Sequence, residues 1–259
     1  MRNFNSYILP TIVIFFYFFL YIPIFILILF SFNDNPFTCT WTSFTWQWYY
    51  DLFASVEIWH ALRNSLIIAV ASVALSLMIG INFIFFGTHQ FVQRTLFLFY
   101  GSLAMPEIVL AVGLLSFFSF FSIPLGTTTL IVGHTLLGLG YVVPILQGRF
   151  VELDKGLMEA SYDLGATQRQ TFFYVVMPLL MPALITAGLL VFIISLDDFI
   201  ISFFCSGASV QTLPLYIFAV IRTGASPMIN ALSTVMLVFS SCLVLLFSFL
   251  HVKKTRMPK

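Results

Sequence analysis

The sequence predicts an all-α, polytopic membrane protein with six transmembrane helices, and three observations carry that prediction. Of its 259 residues, 60% are hydrophobic and only 8% are charged, where soluble domains carry about 25%. Apolar runs near the roughly twenty residues needed to cross a hydrocarbon core recur along the chain. In lipid the backbone has to satisfy its own hydrogen bonds, so such runs are helices rather than open sheets. The third observation is the placement of charge. With the N-terminus inside, nine of the eleven Lys and Arg residues fall on the cytoplasmic side, and only Arg63 and Arg222 fall outside. That is the asymmetry of the positive-inside rule, and it puts both termini in the cytoplasm.

The whole chain, 1–259, reads as one transmembrane domain. The first span is about 7–30, inside an uncharged run between Arg2 and Asp34. That run is too long for a signal-peptide core and lacks a small-residue cleavage site. Residues 31–62 form a polar, aromatic-rich loop holding all four tryptophans, Trp41, Trp46, Trp48 and Trp59. An interfacial belt is the simpler reading, because indole prefers the headgroup level without any partner. The alternative is a landing surface for an external binding protein. The second span is about 62–86 and the third about 95–121, which contains Pro106 and Glu107. The fourth is about 127–146, with His134 inside it. A polar loop, 147–177, follows. The fifth span is about 178–204, with Asp197 and Asp198 near its far end, and the sixth about 229–250. Between those two, 215–221 is apolar enough for a short interfacial helix.

The loop from Glu159 to Pro178 is the longest polar interruption in the second half of the chain. It reads as two short helices broken at a glycine. Asp154 can cap the first helix, and Gly165 sits where a left-handed C-terminal residue is wanted. Thr167 with Gln170 three residues on makes a capping box for the second, and Pro178 opens the next apolar run. A helix–Gly–helix element between two spans reads as a docking surface for a soluble partner.

Three acids fall inside the expected spans: Glu107, Asp197 and Asp198. An ionisable group at depth costs about 2.5–3.5 kcal/mol on insertion scales and usually lines a pathway. At about 1.5 Å per residue, Glu107 lies about 18 Å past Thr95, and Asp197 about 28 Å past Pro178. With no Lys or Arg embedded beside them, they suit a cationic substrate. Neighbouring helical residues point about 100° apart, so the two aspartates cannot both face one point. One can face the pathway while the other bonds a neighbouring helix or caps a broken helix end. The competing reading puts the pair in the hydrated headgroup region. His134 reads as a neutral, hydrogen-bonded packing residue. Cys39, Cys205 and Cys242 lack metal spacing and read as free apolar thiols, although a Cys39–Cys205 bridge is conceivable. There is no phosphate-binding Gly-rich loop and no catalytic cluster, so the chain reads as a transport subunit rather than an enzyme. Any ATP and Mg²⁺ would sit on another chain. The near-zero net charge of +1 implies no nucleic-acid partner.

The stretch EASYDLGATQRQTFFYVVMP resembles the EAA loop of permease subunits of ATP-binding-cassette importers. That pattern is Glu-Ala-Ala, three residues, Gly, nine residues, Ile, one residue, Leu-Pro. Glu159, Ala160, Gly165 and Pro178 match in place, while Ser161, Val175 and Met177 replace residues of similar size. MPEIVLAVGLL, SLDDFIISFFCSG and TLPLYIFAVIRTGASPMINALST extend the likeness to nearly the full length. They look like the shorter of the two permease subunits of spermidine/putrescine importers. Aminoethylphosphonate and iron permeases of the same wider cluster remain alternatives, and a stand-alone secondary transporter would more often show inverted repeats. The resemblance implies a type I importer in the bacterial inner membrane. Its expected partners are a homologous second permease, two ATPase subunits and a periplasmic substrate-binding protein. It implies pathway roles for Glu107, Asp197 and Asp198, and ATPase coupling through Glu159, Ala160, Ser161, Gly165 and Pro178.

Overall fold

A computed structural model describes residues 4–35, 40–223 and 227–255. The described residues are helical throughout, apart from loops and one isolated bridge between Asn33 and Phe44. The chain divides into two compact units.

The first unit is Met1–Ile58 with Ile217–Lys259. It holds α1 (Phe4–Phe30), α2 (Gln47–Ala54) and α12 (Pro227–Thr255). Helix α1 is apolar on every side, as a lipid-facing span is. The loop after it is a folded cap. Asn33 is fully buried and donates from Nδ2 to the Thr40 carbonyl at 2.8 Å. Its Oδ1 accepts from the Thr42 backbone N–H at 3.0 Å, and its carbonyl accepts from Trp48 Nε1 at 2.7 Å. The Phe32 ring packs against Phe44, Trp46 and Tyr49, with ring centroids 4.9 to 5.2 Å apart. The belt and landing readings both need exposed tryptophans, and Trp41, Trp46 and Trp59 are exposed. Trp48 instead serves the interior of the cap.

The second unit is Trp59–Tyr216. Helix α3 (Val56–Phe86) enters it. It is followed by α4 (His89–Ala104), α5 (Glu107–Phe120), α6 (Thr127–Val151) and α7 (Lys155–Asp163). Then come α8 (Gln168–Thr171), a π turn (Phe172–Val176), α9 (Met177–Asp197) and α10 (Ile200–Cys205). Helix α11 (Leu213–Thr223) starts here and covers the short helix expected at 215–221. Helix α6 is the centre. Its glycines let neighbours approach: a Cβ on Gly138 would stand 2.5 Å from Ser76 Oγ and 2.8 Å from Val191 Cγ1. One apolar core gathers Ile84, Val142, Leu146, Val176 and Leu180. A second gathers Ile68, Ala111, Leu130 and Ile201.

Among the described residues, four helices are long and apolar enough to cross a membrane: Pro10–Phe30, Val56–Phe86, Thr127–Val151 and Gln168–Asp197. A bent pair, Gln90–Ala104 with Glu107–Phe120, makes a fifth if it is one span, and Pro227–Cys242 is a shorter apolar stretch within α12. Two expected spans are corrected. The straight helix over 95–121 is broken, with a bend of 110° between α4 and α5. Pro106 disfavours helical backbone at Met105, which is extended at φ −79°, ψ 133°. Counting rise from Thr95 therefore does not give the depth of Glu107. The fifth span does not run 178–204: it begins at Gln168 and stops at Asp197. The capping box starts it early, and Pro178 is absorbed within the helix just after the π turn. There Met177 N–H bonds Phe172 O, five residues back. At its other end the backbone turns extended at Asp198, φ −67°, ψ 119°, and α10 is a separate helix.

Candidate functional site

Two groups of predicted residues are placed by this framework, and they lie on different segments. The first is the cluster of intramembrane acids. Asp198 occupies the break between α9 and α10 and is 5% exposed. Its carboxylate accepts from the backbone N–H groups of Ile201 (3.3 Å) and Ser202 (2.9 Å), so it caps the first turn of α10. His134, 1% exposed on α6, brings Nε2 to 3.3 Å from Asp198 Oδ2. Its Nδ1 lies 2.6 Å from Ser195 Oγ on α9. Ser202 Oγ stands 3.5 Å from the same Nε2. Close packing brings these helices together: a Cβ on Gly133 would meet Ile201 Cγ2 at 2.8 Å, and Thr129 Oγ1 donates to the Cys205 carbonyl at 2.7 Å. A buried carboxylate is tolerated only with such partners.

Glu107 opens α5 directly after Pro106. Asp198 is the acid beside it. It also borders a cavity of about 170 Å³ lined by Ser102, Tyr141, Leu137 and Ile194. Of the three acids, Glu107 and Asp198 are thus together. Asp197 ends α9 and is exposed, away from the cluster. That separation follows from the break in the helix: Asp197 is the last residue of α9, and the backbone turns extended at Asp198, φ −67°, ψ 119°. His134 is the packing residue expected in a helix interface, and its partner Asp198 was not readable from spacing. The only sequence signal joining them is that each is a rare polar group in an apolar run. Among the described residues no group of three or more His, Cys, Asp or Glu side chains could hold a metal ion. Cys205 is buried and free, and Cys39 lies outside the described residues.

The second group is the corner at Gly165. Asp154 caps α7 by accepting from Gly156 N–H at 2.9 Å. At the other end Gly165 is left-handed, φ +83°, with its N–H on Tyr162 O and the Ala166 N–H on Ser161 O. That pair of bonds is a Schellman closure. Thr167 and Gln170 form the reciprocal capping box. Ser161 Oγ and Thr171 Oγ1, 2.9 Å apart, tie α7 to the foot of the following span. Glu159, Ala160, Tyr162 and Leu164 are exposed, Leu164 at 88%. Pro178 is further along, inside the span helix, and is not part of this corner.

Residues 88–253 match the family model described as binding-protein-dependent transport system inner membrane component. A spermidine/putrescine transport system permease protein, PotC, of Haemophilus influenzae is 38% identical over 80% of this chain and 82% of its own length. PotC of Escherichia coli is 36% identical over 83% of each chain. A putrescine transport system permease protein of E. coli, PotI, is 32% identical over 76% of this chain and 74% of its own. In fold, the chain resembles a bacterial ABC transporter that imports alginate, with TM-score 0.69, 16% identity and 99% of each chain covered. An amino acid ABC transporter crystallised with histidines gives TM-score 0.56 at 17% identity, over 81% of this chain and 95% of that one.

Proposed function

The chain belongs to the family of binding-protein-dependent transport system inner membrane components, and on that premise we propose that it conducts polyamines through an ATP-driven importer. It is a transport component and not an enzyme. The observation that carries the substrate reading is Glu107. It stands at the start of a helix, bordering a cavity where, among the described residues, the other polar side chains are the hydroxyls of Ser102 and Tyr141 and none is Lys or Arg. A primary ammonium offers three donors and no acceptor, which suits one carboxylate flanked by hydroxyl oxygens. PotC of H. influenzae names spermidine and putrescine, and PotI of E. coli names putrescine.

Asp197, exposed at the end of α9, is the acid an approaching polycation meets first, and Asp198 backs Glu107 from inside. On the coupling side, Glu159, Ala160 and Ser161 on α7, with the Gly165 corner, form the face that an ATPase subunit grips. The full assembly has a second permease, two ATPase subunits and an external binding protein, in the bacterial inner membrane. Both termini and the Gly165 corner face the cytoplasm, as the Lys and Arg distribution favours. ATP-driven closure of the ATPase pair moves α7, and with it the foot of the α8–α9 span, between the two access states.

The test is substrate competition in cells expressing the complete importer. Unlabelled spermidine and putrescine are expected to suppress labelled polyamine uptake, while aminoethylphosphonate and ferric iron leave it unchanged. Uptake of either of those solutes in place of polyamine would overturn the substrate and leave the transport architecture standing.

A further inference from the structure

We propose that His134 is a positioning residue of transport: it holds Asp198 on the first turn of α10, so that Glu107 alone in this cluster is left to meet the substrate's ammonium group. The inference rests on the cation-pathway reading above.

His134 is 1% exposed, and both ring nitrogens are engaged, Nδ1 with Ser195 and Nε2 with Asp198. Nothing on the ring is free for a substrate, so a direct ligand role is excluded. The ring faces Asp198 from α10's side and Glu107, by way of Asp198, from α5. The remaining contacts, Ser195 on α9 and Ser202 on α10, are hydroxyls. A hydroxyl can donate or accept, so Ser195 satisfies Nδ1 whichever tautomer is present. The Asp198 carboxylate, an acceptor only, favours the proton on Nε2, which donates to it, while the Ser195 hydroxyl donates to Nδ1. Second-partner hydrogen bonds of this kind fix which ring nitrogen carries the proton.

Asp198 Oδ2 takes its donors from His134 and from the Ser202 backbone, and Oδ1 takes the Ile201 N–H. Without the imidazole, Oδ2 keeps one backbone donor, and the carboxylate is free to turn toward Glu107. It would then compete with Glu107 for the incoming cation and loosen the cap of α10 at the same moment.

The experiment treats membranes holding the assembled importer with dicyclohexylcarbodiimide, which modifies carboxyl groups in apolar surroundings, and maps the labelled peptides. Polyamine uptake is measured in parallel. His134→Gln places an amide nitrogen near the position of Nε2, and His134→Asn near that of Nδ1. Asp198 is expected to stay unlabelled in the wild type and in His134→Gln, and to become labelled in His134→Asn. His134→Asn should raise the half-saturating polyamine concentration about tenfold, the scale of one lost hydrogen bond to a charged group. His134→Gln should stay near wild type. If the His134→Asn complex fails to assemble, the uptake comparison alone is made in the Asp198→Asn background, where removing His134 should add little further loss. Equal Asp198 labelling in all three proteins overturns the proposal, as does a full second loss in the double variant. A wild type that takes up no polyamine defeats the cation-pathway reading, and the labelling pattern still decides the role of His134.

Discussion

Replacing Gly165 isolates backbone conformation from every other effect. A Cβ built there meets nothing within 4 Å, so a side chain costs no packing. The cost is conformational alone, because φ is +83°. A left-handed residue other than Gly costs roughly 1–2 kcal/mol, and Asn falls at the low end of that range. Gly165→Ala should therefore weaken the corner about tenfold, since about 1.4 kcal/mol is a factor of ten. Gly165→Pro is worse on two counts. Proline fixes φ near −65°, and it deletes the N–H that bonds Tyr162 O. The expected loss is about 3 kcal/mol or more, enough to abandon the corner. The assay is the amount of ATPase subunit that co-purifies with the chain, read beside substrate uptake at matched membrane levels. The predicted order is Gly, then Asn, then Ala, then Pro. A Gly165→Pro chain that retains its ATPase and imports normally would refute the assignment of this corner as the docking element.

Asp198→Ala should be strongly destabilising, by about 3–5 kcal/mol, because it strands the buried imidazole and the first N–H groups of α10; thermal unfolding in detergent checks this, with Asp198→Asn expected to be milder. Gly138→Leu drives a side chain into Ser76 and Val191 and should cost about 1–3 kcal/mol by overpacking, again seen as an earlier unfolding transition. Asn33→Ala leaves the Thr42 N–H and the Thr40 carbonyl without their side-chain partner, for a loss of about 1–3 kcal/mol. Limited proteolysis should then cut within residues 40–46 faster than in the wild type.

What was legible in the sequence was local chemistry. Asp154, Gly165, Thr167 and Gln170 each act within a few residues of themselves, so their spacing was enough to predict both caps and the left-handed corner. The breaks in the spans were harder, because hydropathy runs on unchanged across them. Pro106 sits inside a continuous apolar run, and only its steric effect on Met105 shows that the run bends. Pro178 does stand in the first turn of α9, but the capping box at Thr167 had already begun a helical stretch that the π turn joins to it, so the span starts ahead of the proline. Least legible were the contacts between distant segments. Nothing in the spacing pairs His134 with Asp198, or turns Trp48 onto the carbonyl of Asn33. The apolar surroundings marked each polar residue as unusual, and the packing of α5, α6, α9 and α10 supplied the partner.

The central claim is that a carboxylate at Glu107 meets a cationic solute. The most direct measurement is uptake of labelled spermidine and putrescine by cells expressing the whole importer, with wild type beside Glu107→Gln and assembly checked by co-purification. The change preserves shape and removes the charge. The account predicts normal assembly with uptake lowered at least about tenfold, as for loss of a charged hydrogen bond. A Glu107→Gln complex that imports both polyamines like the wild type would contradict it.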